Sequence, residues 1–414
     1  MSKRIVIVGA GMAGVKLAQE LCALETDAQI TLISAEARAG YNRIMLSPVL
    51  SGEKHIDEIA LTAPEWFKDS GVKLVAGCEI TQINPNSKVV SNECGDQYTY
   101  DTLVLATGSS AFKIPFKGIE GEGVYVFRTF DDVCAMLSRL KAVSQSGPDQ
   151  KGRAVVIGGG LLGLEAAAAL NRQGAKVTVI HNAEHLMNTQ LNAAAASLLQ
   201  DHFESNGIEF ILGAKTKEIL LKDNQVSGVA FEDQGDIEAD LVIMAVGVRP
   251  NLALAQSLAD QSDLQVERGI VVDAQLKTNL PGVYALGECV QFEGQTFGLV
   301  APVYDQARVL AAHLGGDGGH FAIKPLATKL KVTGVDLFSG GDIRDLDHYT
   351  YATTQNPVTG TYKRLSFEGD RLVGAILYGD VADGSWLFDL IENQTDISQL
   401  RDRMIFGQHY IQAA

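Results

Sequence analysis

The chain has 414 residues, 46% of them apolar and 20% charged, and a formal net charge of −16. That length and apolarity support two or three cores, while so acidic a balance excludes nucleic acid and anionic membrane surfaces as partners. The five cysteines, at 22, 78, 94, 134 and 289, form no CxxC and no metal-ligand spacing, which fits reduced thiols in a cytoplasmic protein without a metal centre.

At the N-terminus, MSKRIVIVGAG meets glycine too early to be a signal peptide, and no later stretch approaches the roughly 20 apolar residues of a membrane span. Instead RIVIVGAGMAGVKLAQEL reads as a strand, Ile5 to Val8, a turn, Gly9-Ala10-Gly11, and a helix carrying Gly14, with a second strand at Gln29–Ile33. This is a βαβ unit. Gly9 permits the tight turn, Gly11 lets the backbone approach a pyrophosphate, and Gly14 lets helix pack on strand; the helix N-terminus then faces the phosphates. The alternative is a glycine turn that serves packing alone. The second strand of such a unit ends in an acid for the adenosine ribose. Here Leu32-Ile33-Ser34-Ala35-Glu36 puts Ala35 at the first expected position, so Glu36, one later, is the ribose candidate; otherwise it is a solvated loop carboxylate. In the following loop, AGYNRIMLSPVLSG, Arg43 is placed to pair with a pyrophosphate, against the alternative of a surface arginine. That loop has no cysteine, which argues against a redox disulfide.

Asp101–Ser109, DTLVLATGS, reads as a strand running into a small-residue turn, and Ser144–Gly152 has loop composition. The βαβ design then recurs: strand Ala154–Ile157, turn Gly158-Gly159-Gly160, helix from Leu161, strand Lys176–Ile180. Gly158, Gly160 and Gly163 are spaced to cradle a second pyrophosphate. Glu165 is expected in the first turn of the helix, where helix electrostatics alone would favour it; the functional alternative is a contact near a nicotinamide. The second strand ends in His181, where an acid for the NAD ribose is expected. A protonated His181 would meet a 2′-phosphate, yet no Lys or Arg stands beside it in HNAEHLMN, and Glu184 offers a substitute carboxylate.

Asp240–Asn251, DLVIMAVGVRPN, is the counterpart of DTLVLATGS, and GVYALGEC, Gly282–Cys289, is again a strand ending in a glycine turn. Glu288 is placed to bond the ribityl chain of a flavin. A helix beginning near Pro302 would direct its N-terminus at the reduced ring, and Cys289 is expected as a small core residue. These parallels imply an insertion: the chain leaves the first unit near Ile119, completes the second by Met244, and returns. From about Lys324 the pattern changes. TYKRLSFEGDRLVGAILYGD reads as strands with a Glu-Gly-Asp hairpin turn, and SWLFDLIENQTDISQLRDRM as helix. The expected fold is α/β: two Rossmann-like dinucleotide-binding domains, the second inserted in the first, plus a smaller C-terminal α+β domain. The expected limits are 1–119 and 245–323, 120–244, and 324–414.

Taken in order, GAGMAG, YNRIMLS, LATGS, GGGLLGLEAA, GVRP, YALGEC, FGLVAPVY and KLKVTGVDLFSGGD resemble the N-terminal FAD/NAD(P)-binding module of the large subunit of bacterial assimilatory NAD(P)H nitrite reductase. The wider family is pyridine nucleotide-disulfide oxidoreductase-like and includes rubredoxin reductase and the ferredoxin reductases of ring-hydroxylating oxygenases. The resemblance implies FAD contacts at Gly9, Gly11, Gly14, Glu36, Arg43, Thr107, Gly108 and Glu288, and NAD(P)H contacts at Gly158, Gly160, Gly163 and Glu165. His181 and Ala35 depart from the family's acids, and Glu288 stands for the usual Asp, as in the nitrite reductase branch. Pro48 follows LS where rubredoxin reductase-like members carry a Lys, which favours that branch. No cysteine set would hold an iron–sulfur cluster or sirohaem, so nitrite is not expected to be reduced by this chain alone.

The resemblance therefore implies an FAD-dependent oxidoreductase that takes electrons from NADH or NADPH and passes them to a separate iron–sulfur, haem or molybdenum redox protein. The preferred acceptor is a nitrate or nitrite reductase of nitrogen assimilation. A rubredoxin or ferredoxin is the alternative. A non-catalytic flavoprotein, acting as NAD(P)H sensor or scaffold, is the competing class. The third domain is a plausible surface for a homodimer or a partner.

Overall fold

The computed structural model describes residues 2–25, 27–144, 151–325, 327–332 and 334–413. The loop expected at Ser144–Gly152 falls largely on residues 145–150, which lie outside the described residues.

Two five-stranded parallel sheets dominate. The first runs Val283–Ala285, Thr102–Leu105, Lys3–Val8, Ala28–Ile33, Lys73–Val75. The second runs Glu209–Ile211, Lys176–Ile180, Arg153–Ile157, Leu241–Met244, Val124–Val126. The strands TLVL and LVIM, buried at every position, occupy matching places beside the central strand of each sheet. Continuous apolar runs are what a parallel sheet covered on both faces demands. Strand Val283–Ala285 pairs with Leu103–Leu105, so the chain returns to its first sheet after building the second. The outgoing and returning segments pair with each other, Ser109–Ala111 against Val248–Pro250.

In both sheets a glycine turn follows the carboxyl end of the central strand, the place where open α/β sheets receive ligands. Helices Met12–Ala23 and Leu161–Arg172 start directly after these turns, each with its last turn glycine, Gly11 or Gly160, as N-cap. The second helix buries Ala166, Ala167, Ala168 and Ala169, and short side chains let it lie close to its sheet. Helix Val300–Gly315 begins two residues before Pro302, which a first turn tolerates because its amides have no intrahelical partner.

The third unit is an antiparallel sheet ordered Ala327–Val332, Val335–Gly341, Arg371–Tyr378, Thr361–Glu368, Thr350–Asn356. One face adds Val335, Leu337, Tyr362, Ile376 and Tyr378 to the core around helix Leu161–Arg172. Two hydrogen bonds fix it there: Asn192 Nδ2 donates to the Tyr362 hydroxyl at 2.8 Å, and Tyr378 donates to Leu198 O at 3.0 Å. The opposite face is covered by helix Gly384–Glu392 through Leu387 and Ile391. The expectation of one helix across 385–404 is corrected. The helix ends at Glu392, Gln394 adopts φ 48°, and a separate 3-10 turn spans Arg401–Phe406. Asn, Asp and Ser in ENQTDIS bond local backbone better than they extend a helix: Asp396 Oδ1 accepts from Ser398 N at 2.9 Å.

Candidate functional site

The two glycine turns are superimposable in their steric logic. A Cβ on Gly9 would stand 2.0 Å from Ala106 O, and one on Gly14 would stand 2.0 Å from Gly9 O. Likewise a Cβ on Gly158 would meet Ala245 O at 2.2 Å, and one on Gly163 would meet Gly158 O at 1.9 Å. Those four are glycine because the protein's own backbone fills the space. Gly11 and Gly160 differ: nothing lies within 4 Å of their missing Cβ. Their φ angles, −78° and −82°, suit any residue. The folded chain itself places no demand for glycine there. A group brought up against the backbone at a helix N-terminus does, and a pyrophosphate is the group such a terminus favours.

Around the first turn, the resemblance-derived residues converge. Glu36 and Arg43 form an ion pair with each other, both about three-quarters buried. Tyr41 donates its hydroxyl to Glu36 Oε2 at 2.5 Å and accepts from Phe130 N at 3.2 Å; burial pushes its phenol well above the ordinary range. Arg43 also donates to Arg128 O at 2.9 Å. The Thr107 hydroxyl donates to Asn251 O at 2.9 Å, so it fastens the returning segment, while Gly108, at φ 68°, leaves open space beside it.

Arg128 is a residue that sequence reasoning missed. Its guanidinium pairs with Glu288 and bonds both Ser109 O, at 3.2 Å, and Ser109 Oγ, at 2.9 Å; Ser109 Oγ in turn donates to Glu288 at 2.6 Å. Asp132 Oδ2 accepts from the amides of Arg128 and Thr129, at 3.0 and 2.7 Å, and so holds the turn between the edge strand Val124–Val126 of the second sheet and helix Phe130–Ser144. The available signal was FRTFDD, an arginine between a strand and a helix start whose Asp caps the turn. Behind Glu288, Gln306 is fully buried. Its Oε1 accepts from Gly287 N at 2.7 Å, while its Nε2 has no partner among the described residues. This orphaned donor beneath the Gly287-Glu288 turn, the open space at Gly11 and the Arg128–Glu288 pair together fit a bound dinucleotide with an anionic centre. Cys289 is core: its thiol is buried, donates to Leu105 O and Leu286 O at 3.5 and 3.3 Å, and is pushed up by burial.

Glu165 lies in the second turn of its helix, not the first, which corrects the expectation and removes helix-terminus electrostatics as its reason. Its carboxylate accepts from Ser47 Oγ at 2.8 Å, which joins the helix Leu46–Leu50 of the first unit to the second. Burial raises its pKa; the Ser47 bond opposes that shift. Farther along the same seam, Gln173 Nε2 donates to Leu50 O at 3.0 Å, and Arg172 pairs with Glu53. Thus Ser47-Pro48, at the position where a lysine was noted as missing, faces Glu165 across the boundary between the two sheets.

His181 sits at the end of its strand, half-buried. Nδ1 accepts from Gly159 N at 3.2 Å, and Nε2 lies 3.3 Å from Asn188 Oδ1. An accepting Nδ1 places the proton on Nε2. Burial lowers the ring's pKa, with His185 acting in the same direction and the Asn188 bond against it. Burial thus works against the protonated form that would meet a 2′-phosphate.

Comparison with known proteins shows the family. Residues 3–309 match the family model described as pyridine nucleotide-disulphide oxidoreductase, and 327–395 match that of the rubredoxin NAD+ reductase C-terminal domain. Among curated relatives, a nitrite reductase [NAD(P)H] of Bacillus subtilis (strain 168) is 41% identical, over 96% of this chain and 48% of its own length. An assimilatory nitrate reductase electron transfer subunit of the same organism is 36% identical, over 97% of this chain and 51% of its own. The chain thus spans about half the length of these relatives. The crystal structure of NADH:rubredoxin oxidoreductase from Clostridium acetobutylicum superposes with a TM-score of 0.78 at 27% identity, covering 96% of both chains.

Proposed function

The chain belongs to the pyridine nucleotide-disulphide oxidoreductase family, whose members bind FAD and use NAD(P)H, and from that premise we propose that it is an FAD-dependent NAD(P)H oxidoreductase serving a separate redox protein. The observation that carries this reading is the pair of matched turns in which Gly11 and Gly160 open onto empty space, one per sheet, with Ser47 and Glu165 bonded across the seam. One site alone would bind a nucleotide; two facing sites bring a donor to an acceptor. Gly9, Gly11, Gly14, Gly108 and the Glu36–Arg43 and Arg128–Glu288 pairs would hold FAD, and Gly158, Gly160, Gly163 and His181 the nicotinamide nucleotide. FAD, when bound, accepts two electrons together and releases them singly.

The chain's residues orient and shield. The Arg128–Glu288–Ser109 cluster ties the flavin-side turn to the segment that follows the edge strand Val124–Val126 of the second sheet. The half-buried Glu165 offers Ser47 a fixed acceptor across the seam between the halves. For the electron acceptor, a nitrate or nitrite reductase of nitrogen assimilation is supported by the identity to the two Bacillus subtilis relatives over nearly the whole chain. A rubredoxin or ferredoxin acceptor is the second reading, supported by the C-terminal domain match. Five unpaired thiols fit a cytoplasmic setting. Among the described residues no helix is long and apolar enough to cross a membrane. The test is electron delivery: the flavin-loaded protein with NADH or NADPH should reduce a purified acceptor of one class faster than of the other, and reduction of neither acceptor would defeat the reading.

A further inference from the structure

The loop after strand Lys176–Ile180 folds back onto the second glycine turn. Gly159 donates to His181 Nδ1 at 3.2 Å and, through its carbonyl, accepts from Met187 N at 2.9 Å. A Cβ at Gly159 would lie 2.8 Å from both the His181 ring and Leu186, so the imidazole and the loop are packed directly on the turn. The neighbouring strand end is zipped to the same segment: His181 N donates to Ile211 O at 2.9 Å, Ala214 N to His181 O at 3.1 Å, and Gly213 N to Ala183 O at 3.0 Å. This brings Glu184 against Gly213, with Oε1 3.2 Å from the place a Cβ would occupy there. The loop after the strand therefore carries an exposed amide, Asn188, bonded to an imidazole whose Nδ1 is already spent on the backbone, and a carboxylate, Glu184, beside Gly213 of the adjoining segment. Residues 182–192 carry no Lys or Arg.

We infer that His181, Asn188 and Glu184 make this corner selective for an unphosphorylated adenosine ribose, so that the donor is NADH rather than NADPH; the inference rests on the dinucleotide site proposed above. With the His181 Nε2–H donated to Asn188 Oδ1, the Asn188 Nδ2 group is left to donate to a diol and the Glu184 carboxylate to accept from it. A 2′-phosphate brings negative charge to Glu184 and finds an imidazole whose Nδ1 already accepts from Gly159 N, and like charges brought together are a strong device against the wrong ligand. The missing acid at 181 is thus replaced by one three residues later.

The test is titration of the flavin-loaded protein with NAD+ and NADP+ by calorimetry, for the unaltered chain, Glu184→Gln and His181→Arg, with steady-state KM for NADH and NADPH alongside. The expected result is NAD+ binding at least about tenfold tighter than NADP+, with the ratio falling in both variants mainly through tighter NADP+. Equal or tighter NADP+ binding by the unaltered chain, or a ratio unmoved by both variants, would overturn the inference while leaving the dinucleotide site standing. If neither nucleotide binds, the site itself fails and the inference with it.

Discussion

Gly11 and Gly14 stand on the same turn and answer to different demands. Gly14→Ala forces a Cβ to within 2.0 Å of Gly9 O, so helix and strand must part. Overpacking of this kind costs about 1–3 kcal/mol, and urea denaturation of the apoprotein should show it. Gly11→Ala meets nothing within 4 Å and costs at most about 1 kcal/mol as an N-cap change, yet flavin affinity measured by fluorescence should drop sharply. Equal effects of both variants on apoprotein stability would remove the argument that Gly11 is kept for a ligand. Arg128→Ala leaves Glu288 without its cation in a pocket where both side chains are 19% exposed. The purified variant should carry substoichiometric flavin, read from its visible absorbance against protein. The glycines were legible because their spacing is local. Arg128 was not, because its partner Glu288 lies 160 residues away and only the returning strand brings them together. Glu36 and Arg43 were found individually, but their pairing with each other was not, since a loop's fold is not written in its spacing.

Among the elements, the helix Leu161–Arg172 does the most: it presents the second turn, packs on its sheet, and with its C-cap Gln173 sets Glu165, Arg172 and Gln173 along one seam. Placing Glu165 one turn too early shows the limit of reading helix starts from residue type. The start is set by Gly160, and Glu165 faces the seam because of the helical repeat. Its raised pKa has a definite consequence. Above the unfolded value of 4.5 the unfolded chain loses this proton before the folded one does. The folded form then binds more protons, so this group's contribution to stability falls as pH rises through that window. Glu165→Gln keeps an acceptor for Ser47 and removes the effect. It should be indistinguishable from the parent in urea at pH 4 and more stable at pH 8; a variant less stable at pH 8 would show that the carboxylate is held by a favourable charge. In the third unit, Lys363 pairs with Asp383 at 2.6 Å, and Asp383 Oδ1 accepts from Gln408 N at 3.0 Å. With the two side chains only 14% and 15% exposed, Lys363→Ala should cost about 3 kcal/mol and expose the segment from Gly407 to limited proteolysis. The strands of this unit were legible from alternation and the hairpin turn, whereas the break at Gln394 depends on a left-handed backbone that a helical hydrophobic pattern does not reveal.

For the whole molecule, the proposed function makes two nucleotide-binding sheets and the seam between them a device that couples a two-electron donor to an acceptor elsewhere. With a net charge of −16, the second-order rate of the proposed electron delivery should fall steeply with rising ionic strength when the acceptor is basic. A salt-independent rate would place the docking surface away from the acidic field. The repeated βαβ design and the return of the chain could be seen in the sequence because parallel strands buried on both faces leave continuous apolar runs. The packing of the third unit on the second could not, because Val335, Tyr362 and Tyr378 read equally well as the interior of their own sheet. The central claim is tested most directly by mixing the flavin-loaded protein anaerobically with NADH in a stopped-flow instrument, then adding an oxidised acceptor protein. An electron-transfer reductase loses its oxidised-flavin absorbance within the time of one turnover and regains it when the acceptor arrives, faster than when oxygen does. A flavin that stays oxidised under excess NADH and NADPH would contradict the claim and leave a nucleotide-binding scaffold in its place.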